Sequence, residues 1–130
     1  MAETNQQRIR DFCALWETLW GQQDLSPMLD YLAQDLEWQD IPGETRRGHD
    51  GAVKFVKAFY GKATYFRMKP RNIVASGNLV FVERVDEMDF NGKDTRLPAV
   101  GVFEMENGKI RVWRDYFDLK MFEKQIAGTA

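Results

Sequence analysis

Apolar residues recur at two different spacings along this chain, and the change from one to the other divides it. Near the N-terminus Ile9, Phe12, Cys13, Trp16, Leu19 and Trp20 fall three or four apart and form one stripe, the pattern of a helix laid on a core. The spacing predicts a helix over Thr4 to Gln22, with Thr4 and Gln7 placed to form a capping box. Asp24 to Leu32 reads as a short second helix, with Ser26 as N-cap, Pro27 at the first helical position, and Leu29 and Leu32 facing inward. Asp35 to Ile41 alternates as a strand and stops at Pro42-Gly43. Glu44 to Arg47 is a loop with room for a short paired piece. Gly48 to Gly61 returns to helical spacing through Val53, Phe55, Val56 and Phe59. From Ala63 onward the period falls to two. Thr64 to Ser76 is a strand in which Pro70 implies an edge or a bulge. Val80 to Phe90, Arg96 to Glu106 and Lys109 to Phe117 follow as strands joined at Asn91-Gly92 and Asn107-Gly108, both hairpin signals. Asp118 to Ile126 closes the chain as a short helix.

Helices followed by an antiparallel meander make an α+β fold. The expected architecture is a cone: a strongly curved mixed sheet with about three N-terminal helices over a deep pocket and a short C-terminal helix. Aromatic residues at 13% supply its lining. At 130 residues the chain reads as a single domain, 1–130. The net charge of −2 is well mixed, which argues against a nucleic-acid or membrane-surface partner, and the apolar runs are too short to span a bilayer. A polar N-terminus and a single cysteine, Cys13, fit a cytoplasmic, reducing setting. Cys13 lies on the apolar helix face and reads as buried filler; His49 reads as a solvated or capping residue, and Arg46-Arg47 as a solvated loop pair.

Four charged groups break the pattern. On the strand Val80 to Phe90, Arg84 and Asp86 point the same way as Val80, Val82, Met88 and Phe90. Asp40 shares a face with Leu36 and Trp38, and Asp115 stands between Trp113 and Phe117. A charge on an apolar face must be paired and hydrogen-bonded or it costs several kcal/mol. Arg84 can fork onto one carboxylate and still reach a second. If the carboxylates share a pocket with one arginine, desolvation and mutual repulsion hold one protonated while another stays ionised. That is an acid and a base in one cleft. A buried Arg–Asp bridge of purely structural purpose explains the same pattern. Register bears on the choice. With two strict two-residue turns, Asp86 lies opposite Leu97 and Leu97 opposite Asp118, so that Arg114 and Tyr116, not Asp115, share the face of Arg84. Asp115 joins the cluster only through an odd loop or a β-bulge between Arg84 and Asp115, and such an irregularity is expected.

The segments Glu-Arg-Val-Asp at 83–86, Gly-Val-Phe-Glu at 101–104, Gly-Lys-Ile at 108–110 and Trp-Arg-Asp-Tyr-Phe-Asp-Leu at 113–119 resemble the limonene-1,2-epoxide hydrolase family of the NTF2-like, or SnoaL-like, superfamily. The resemblance is close over 81–123 and collinear before that. It implies an epoxide hydrolase without cofactor or metal, in which Asp115 activates water, Asp86 protonates the epoxide oxygen and Arg84 bridges them. A small hydrophobic substrate and a homodimer are expected, with Trp38, Asp40, Met88, Leu97 and Trp113 as the residues expected to contact substrate or water. One segment departs from the family. Where the family carries Tyr-x-Asn-x-Pro to hold its water, this chain has Trp38-Gln39-Asp40-Ile41-Pro42. An indole only donates, and an ionised carboxylate only accepts. The departure opens a second chemistry, a ketosteroid-isomerase-like or cyclase-like proton transfer with Asp40 as base. A third reading is a binding domain without catalysis.

Overall fold

Residues 4–127 are described in a computed structural model of the chain. Their order is α1 (Asn5–Leu19), α2 (Ser26–Leu29), β1 (Leu32–Asp40), β2 (Thr45–Arg47), α3 (Gly48–Tyr60), β3 (Phe66–Ser76), β4 (Leu79–Phe90), β5 (Lys93–Glu106), β6 (Lys109–Phe117) and α4 (Leu119–Ala127). The strands form one mixed sheet in the order β2-β1-β6-β5-β4-β3, antiparallel except where β1 runs parallel to β6. The expected α+β class stands. α1 crosses β3, and α3 lies on β1 and β2.

Local chemistry accounts for most of the element ends. Thr4 caps α1 by accepting from the Gln7 main-chain N–H at 3.1 Å. The Gln7 side chain donates to Asp11 rather than closing the box. Asn91-Gly92 and Asn107-Gly108 make two-residue turns with all four residues at positive φ, the hairpin geometry that Asn-Gly favours. Pro70 lies on the edge strand β3, and the register with β4 slips between Pro70 and Asn72, as expected of a proline that cannot donate to the ladder.

The second helix is shorter than its spacing suggests. It ends at Leu29, and Leu32 opens β1 instead, because the Tyr31 carbonyl and Leu32 are drawn into pairing with Ile110 of β6. Ser26 does not cap it; its N–H and hydroxyl both bond to Asp24.

The core is aromatic. Phe12 and Trp16 of α1 pack on Phe103 and Trp113 of the sheet, and Trp38 stacks flat on Trp113 at 4.2 Å and 4°. Ile9, Phe12, Cys13, Trp16 and Leu19, most of the predicted stripe, are buried. Burial pushes the Cys13 thiol up to about 12, consistent with inert filler. Among the described residues no helix is long and apolar enough to cross a membrane.

Candidate active site

Arg84 is the centre of the site, 1% exposed on β4. Its guanidinium is gripped from two sides. Nε and Nη2 donate to Asp86 at 2.7 and 3.0 Å, and Nη1 and Nη2 donate to Asp115 at 2.9 and 2.8 Å. Each carboxylate therefore takes a planar fork, which fixes the guanidinium in position and rotation. Asp86 and Asp115 are 6% exposed each.

Asp86 reaches this place by simple alternation, two residues beyond Arg84. Asp115 reaches it through a slip in register. Both hairpins are strict, with Phe90 paired to Lys93 and Glu106 to Lys109. Met105 still pairs with Ile110, but Glu104 pairs with Val112. Arg111 is thus an extra residue on β6, and the strand beyond it is turned over. Gly101, rather than the Val100 of the unbulged register, then faces Asp115. The bulge is tied down from the neighbouring strand: Arg111 bridges Asp35 at 3.0 Å and Glu37 at 2.8 Å, where β1 itself slips between Leu32 and Glu37.

Three further residues shape the pair, and the one-dimensional pattern shows the part of none of them. Gly101 carries no side chain because there is no room for one. A Cβ there would stand 2.5 Å from Arg84 Nη1 and 3.0 Å from Asp115 Oδ1. Trp113 is fully buried and stands behind Asp115 rather than on the pocket wall; its indole N–H donates to Asp115 Oδ1 at 2.7 Å. Arg46 is not a solvated loop residue. It pairs with Asp40 at 2.8 Å and lies over the rings of Phe55, at 3.5 Å, and Trp38, at 5.0 Å. Arg47, its neighbour, is exposed as expected and pairs with Glu37. His49 bonds the Leu32 carbonyl at 2.9 Å, away from the site.

A cavity of about 190 Å³ opens onto these groups. Asp40, Arg84, Asp86 and Asp115 all line it, with Trp38, Met88 and Leu97 among the apolar walls. On a scale where about 150 Å³ holds one benzene ring, the space suits a single-ring molecule. Burial raises the Asp86 pKa above the ordinary carboxyl value; the nearby charges of Asp115 and Asp40 push the same way, and Arg84 opposes them. Burial also raises Asp40, against the pull of Arg46. Asp115 accepts three hydrogen bonds, all from N–H donors. The Trp38 indole N–H is buried without an acceptor. Among the described residues no group of three or more His, Cys, Asp or Glu side chains is placed to hold a metal ion.

Comparison with known proteins identifies relatives of the whole chain. Epoxide hydrolase EphG of Mycobacterium tuberculosis is 31% identical over 98 residues, 75% of this chain and 65% of that protein, so the match spans a little under two thirds of the relative's length. The structure of a limonene-epoxide-hydrolase-like epoxide hydrolase from M. tuberculosis superposes with a TM-score of 0.80 at 26% identity, covering 95% of this chain and 90% of the other. The same fold is shared by a protein from Shewanella putrefaciens described as a SnoaL-like polyketide cyclase, with a TM-score of 0.81 at 15% identity over 99% of this chain and all of the other. The profile of the limonene-1,2-epoxide hydrolase catalytic domain matches residues 5–127, and the chain belongs to that family.

Proposed function

We propose that the protein hydrolyses a small, mainly apolar epoxide to a vicinal diol, with Asp115 as base, Asp86 as acid and Arg84 as the bridge between them. The observation that carries this reading is the double fork of Arg84 on two buried carboxyl groups at the wall of an apolar cavity. A water molecule beside Asp115 gives it a proton as its oxygen attacks an epoxide carbon. The C–O bond breaks, and the ring oxygen takes the proton of Asp86. Asp115 has then gained a proton and Asp86 lost one, so returning one proton from Asp115 to Asp86 restores the site. The raised pKa of Asp86 keeps the acid loaded, and the cation between them keeps the two groups unlike. Asp40, held against Arg46, faces the same cavity and supplies a second acceptor for the water.

The test is hydrolysis of single-ring epoxides, limonene oxide among them, in water enriched in heavy oxygen. One heavy oxygen per diol is expected, with the label on the carbon that was attacked. No diol across the panel counts against the reading.

A second reading follows from Asp40, whose carboxyl sits in the pocket with its pKa raised by burial. As a base it would move a proton on carbon next to a carbonyl, and Asp86 would donate to the developing oxyanion. Deuterium exchange from solvent into carbonyl ligands, abolished by Asp40→Asn but not by Asp115→Asn, would establish it in place of hydrolysis.

The outer face of the sheet bears on assembly. Val74, Phe81, Val100 and Tyr116 are 63%, 43%, 38% and 45% exposed. Pairing sets Val74 beside Phe81 and Val100 beside Tyr116. An apolar surface of this kind is suited to a second copy of the chain. We therefore expect a homodimer by sedimentation that Phe81→Arg converts to monomer; a wild-type monomer sinks the idea.

A further inference from the structure

Of the walls around the cavity, α4 has the least packing behind it. None of its residues is buried, and Leu119 and Met121 are half exposed. Yet Leu119 and Phe122 line the cavity. The Phe122 ring meets Phe90 at 5.5 Å, and Phe90 meets Phe59 at 5.7 Å. This row of rings joins α4 to β4 and α3 along one side of the pocket.

Gln125 hydrogen-bonds α4 to the main chain of β5. The pairing of β6 with β5 stops at Phe117, opposite Ala99. The main-chain groups of Arg96 lie beyond that last pair, and Gln125 takes both. Arg96 N–H donates to Gln125 Oε1 at 2.7 Å, and Gln125 Nε2 donates to the Arg96 carbonyl at 2.9 Å. A carboxamide has the donor and acceptor of a peptide group, so Gln125 continues the ladder where β6 has ended.

We propose that Gln125 is a specificity-determining positioning residue, which latches α4 across the pocket so that Leu119 and Phe122 form a fixed wall limiting the ring size of the substrate. The epoxide class of that substrate rests on the hydrolase reading; the latch does not. Glutamate at this position lacks the donor for the Arg96 carbonyl and sets a carboxylate oxygen against it. Both bonds are exposed, so losing them raises the undocked fraction of α4 by about tenfold, not by orders of magnitude.

The test is equilibrium binding of toluene and naphthalene, followed by titration calorimetry. The wild type favours the single-ring probe. Gln125→Ala and Gln125→Glu are expected to reduce that preference by at least about threefold, chiefly by tightening naphthalene. An unchanged ratio overturns the proposal, and so does equal weakening of both probes, which a merely structural role would give. Neither probe carries an epoxide. A relaxed ratio in a protein that turns over no epoxide therefore keeps the latch and removes the hydrolase reading.

Discussion

Asp115→Asn is expected to leave a folded protein whose epoxide turnover is lower by roughly 1,000-fold or more. Loss of a general base alone accounts for about 10²- to 10⁴-fold. The geometry adds a second loss. Arg84 is 1% exposed and shares its charge between two carboxyl groups. When Asp115 becomes an amide, Asp86 is the one carboxyl group left in contact with a buried cation. The charge of Asp115 also helps to hold Asp86 up, after burial itself. With that charge gone and Arg84 undivided, the pKa of Asp86 falls, and the acid holds its proton less firmly. One substitution removes the base and weakens the acid of the proton exchange. Asp86→Asn in the Asp115→Asn background should therefore cost little more than the single change. Pre-steady-state turnover of the single and double variants checks this; fully additive losses would show that the two carboxyl groups act independently.

The same coupling sets a pH dependence. In the proposed hydrolysis the ring oxygen takes the proton of Asp86, so the rate is expected to fall as pH rises through the raised pKa of that group. The sign for stability is the same. A carboxyl group whose pKa is raised by folding favours the native state at low pH, and that contribution is lost as pH rises from the unfolded value through the native one. Asp40→Asn removes one of the charges that raise Asp86 and releases Arg46 from its partner. Loss of the Asp40 charge lowers the pKa of Asp86. The alkaline limb of the rate profile is expected to move to lower pH in this variant, while the label still enters the diol.

How far the sequence announced this site differs from residue to residue. Period-two alternation was enough to place Arg84 and Asp86 on one face, because both lie on one strand. The two Asn-Gly pairs defined their turns, because a positive φ at both positions leaves few other residues suitable. Together these strict turns required an irregularity before Asp115. The slip is a bulge at Arg111 rather than a longer loop, and nothing between Glu104 and Val112 marks it in one dimension. Its anchors, Asp35 and Glu37, lie on another strand. The setting of Arg46 is not legible in the sequence for a similar reason. A charged pair in a predicted loop reads as solvated until α3 lays Phe55 under one guanidinium. Trp113 was legible as a buried ring but not as a hydrogen-bond donor to Asp115, since a partner two residues along a strand requires the indole to turn along the chain. Position and face follow from local spacing; the contacts between elements do not.

Gly101→Ala is expected to lower turnover by about 100-fold and to reduce the melting temperature by roughly 5–15 °C. Its glycine is not required by the backbone, for Gly101 is not among the glycines at positive φ. Space is the reason. The added methyl would stand 2.5 Å from Arg84 Nη1, 3.0 Å from Asp115 Oδ1 and 3.0 Å from the Phe103 ring. Arg84 cannot withdraw, because four hydrogen bonds hold it and its surroundings are buried. Overpacking of this kind costs about 1–3 kcal/mol, and in a domain of this size each kcal/mol lowers the melting temperature by a few degrees. The loss of rate has a different origin. A displacement of about 1 Å at the reacting groups is enough for a hundredfold effect, and the methyl drives Arg84 and Asp115 apart along the bond that joins them. The two effects separate by measurement. If crowding at the site is the cause, turnover stays low well below the melting transition. If Gly101→Ala melts early yet works at full rate when cold, the glycine serves folding and the fork on Asp115 tolerates the shift.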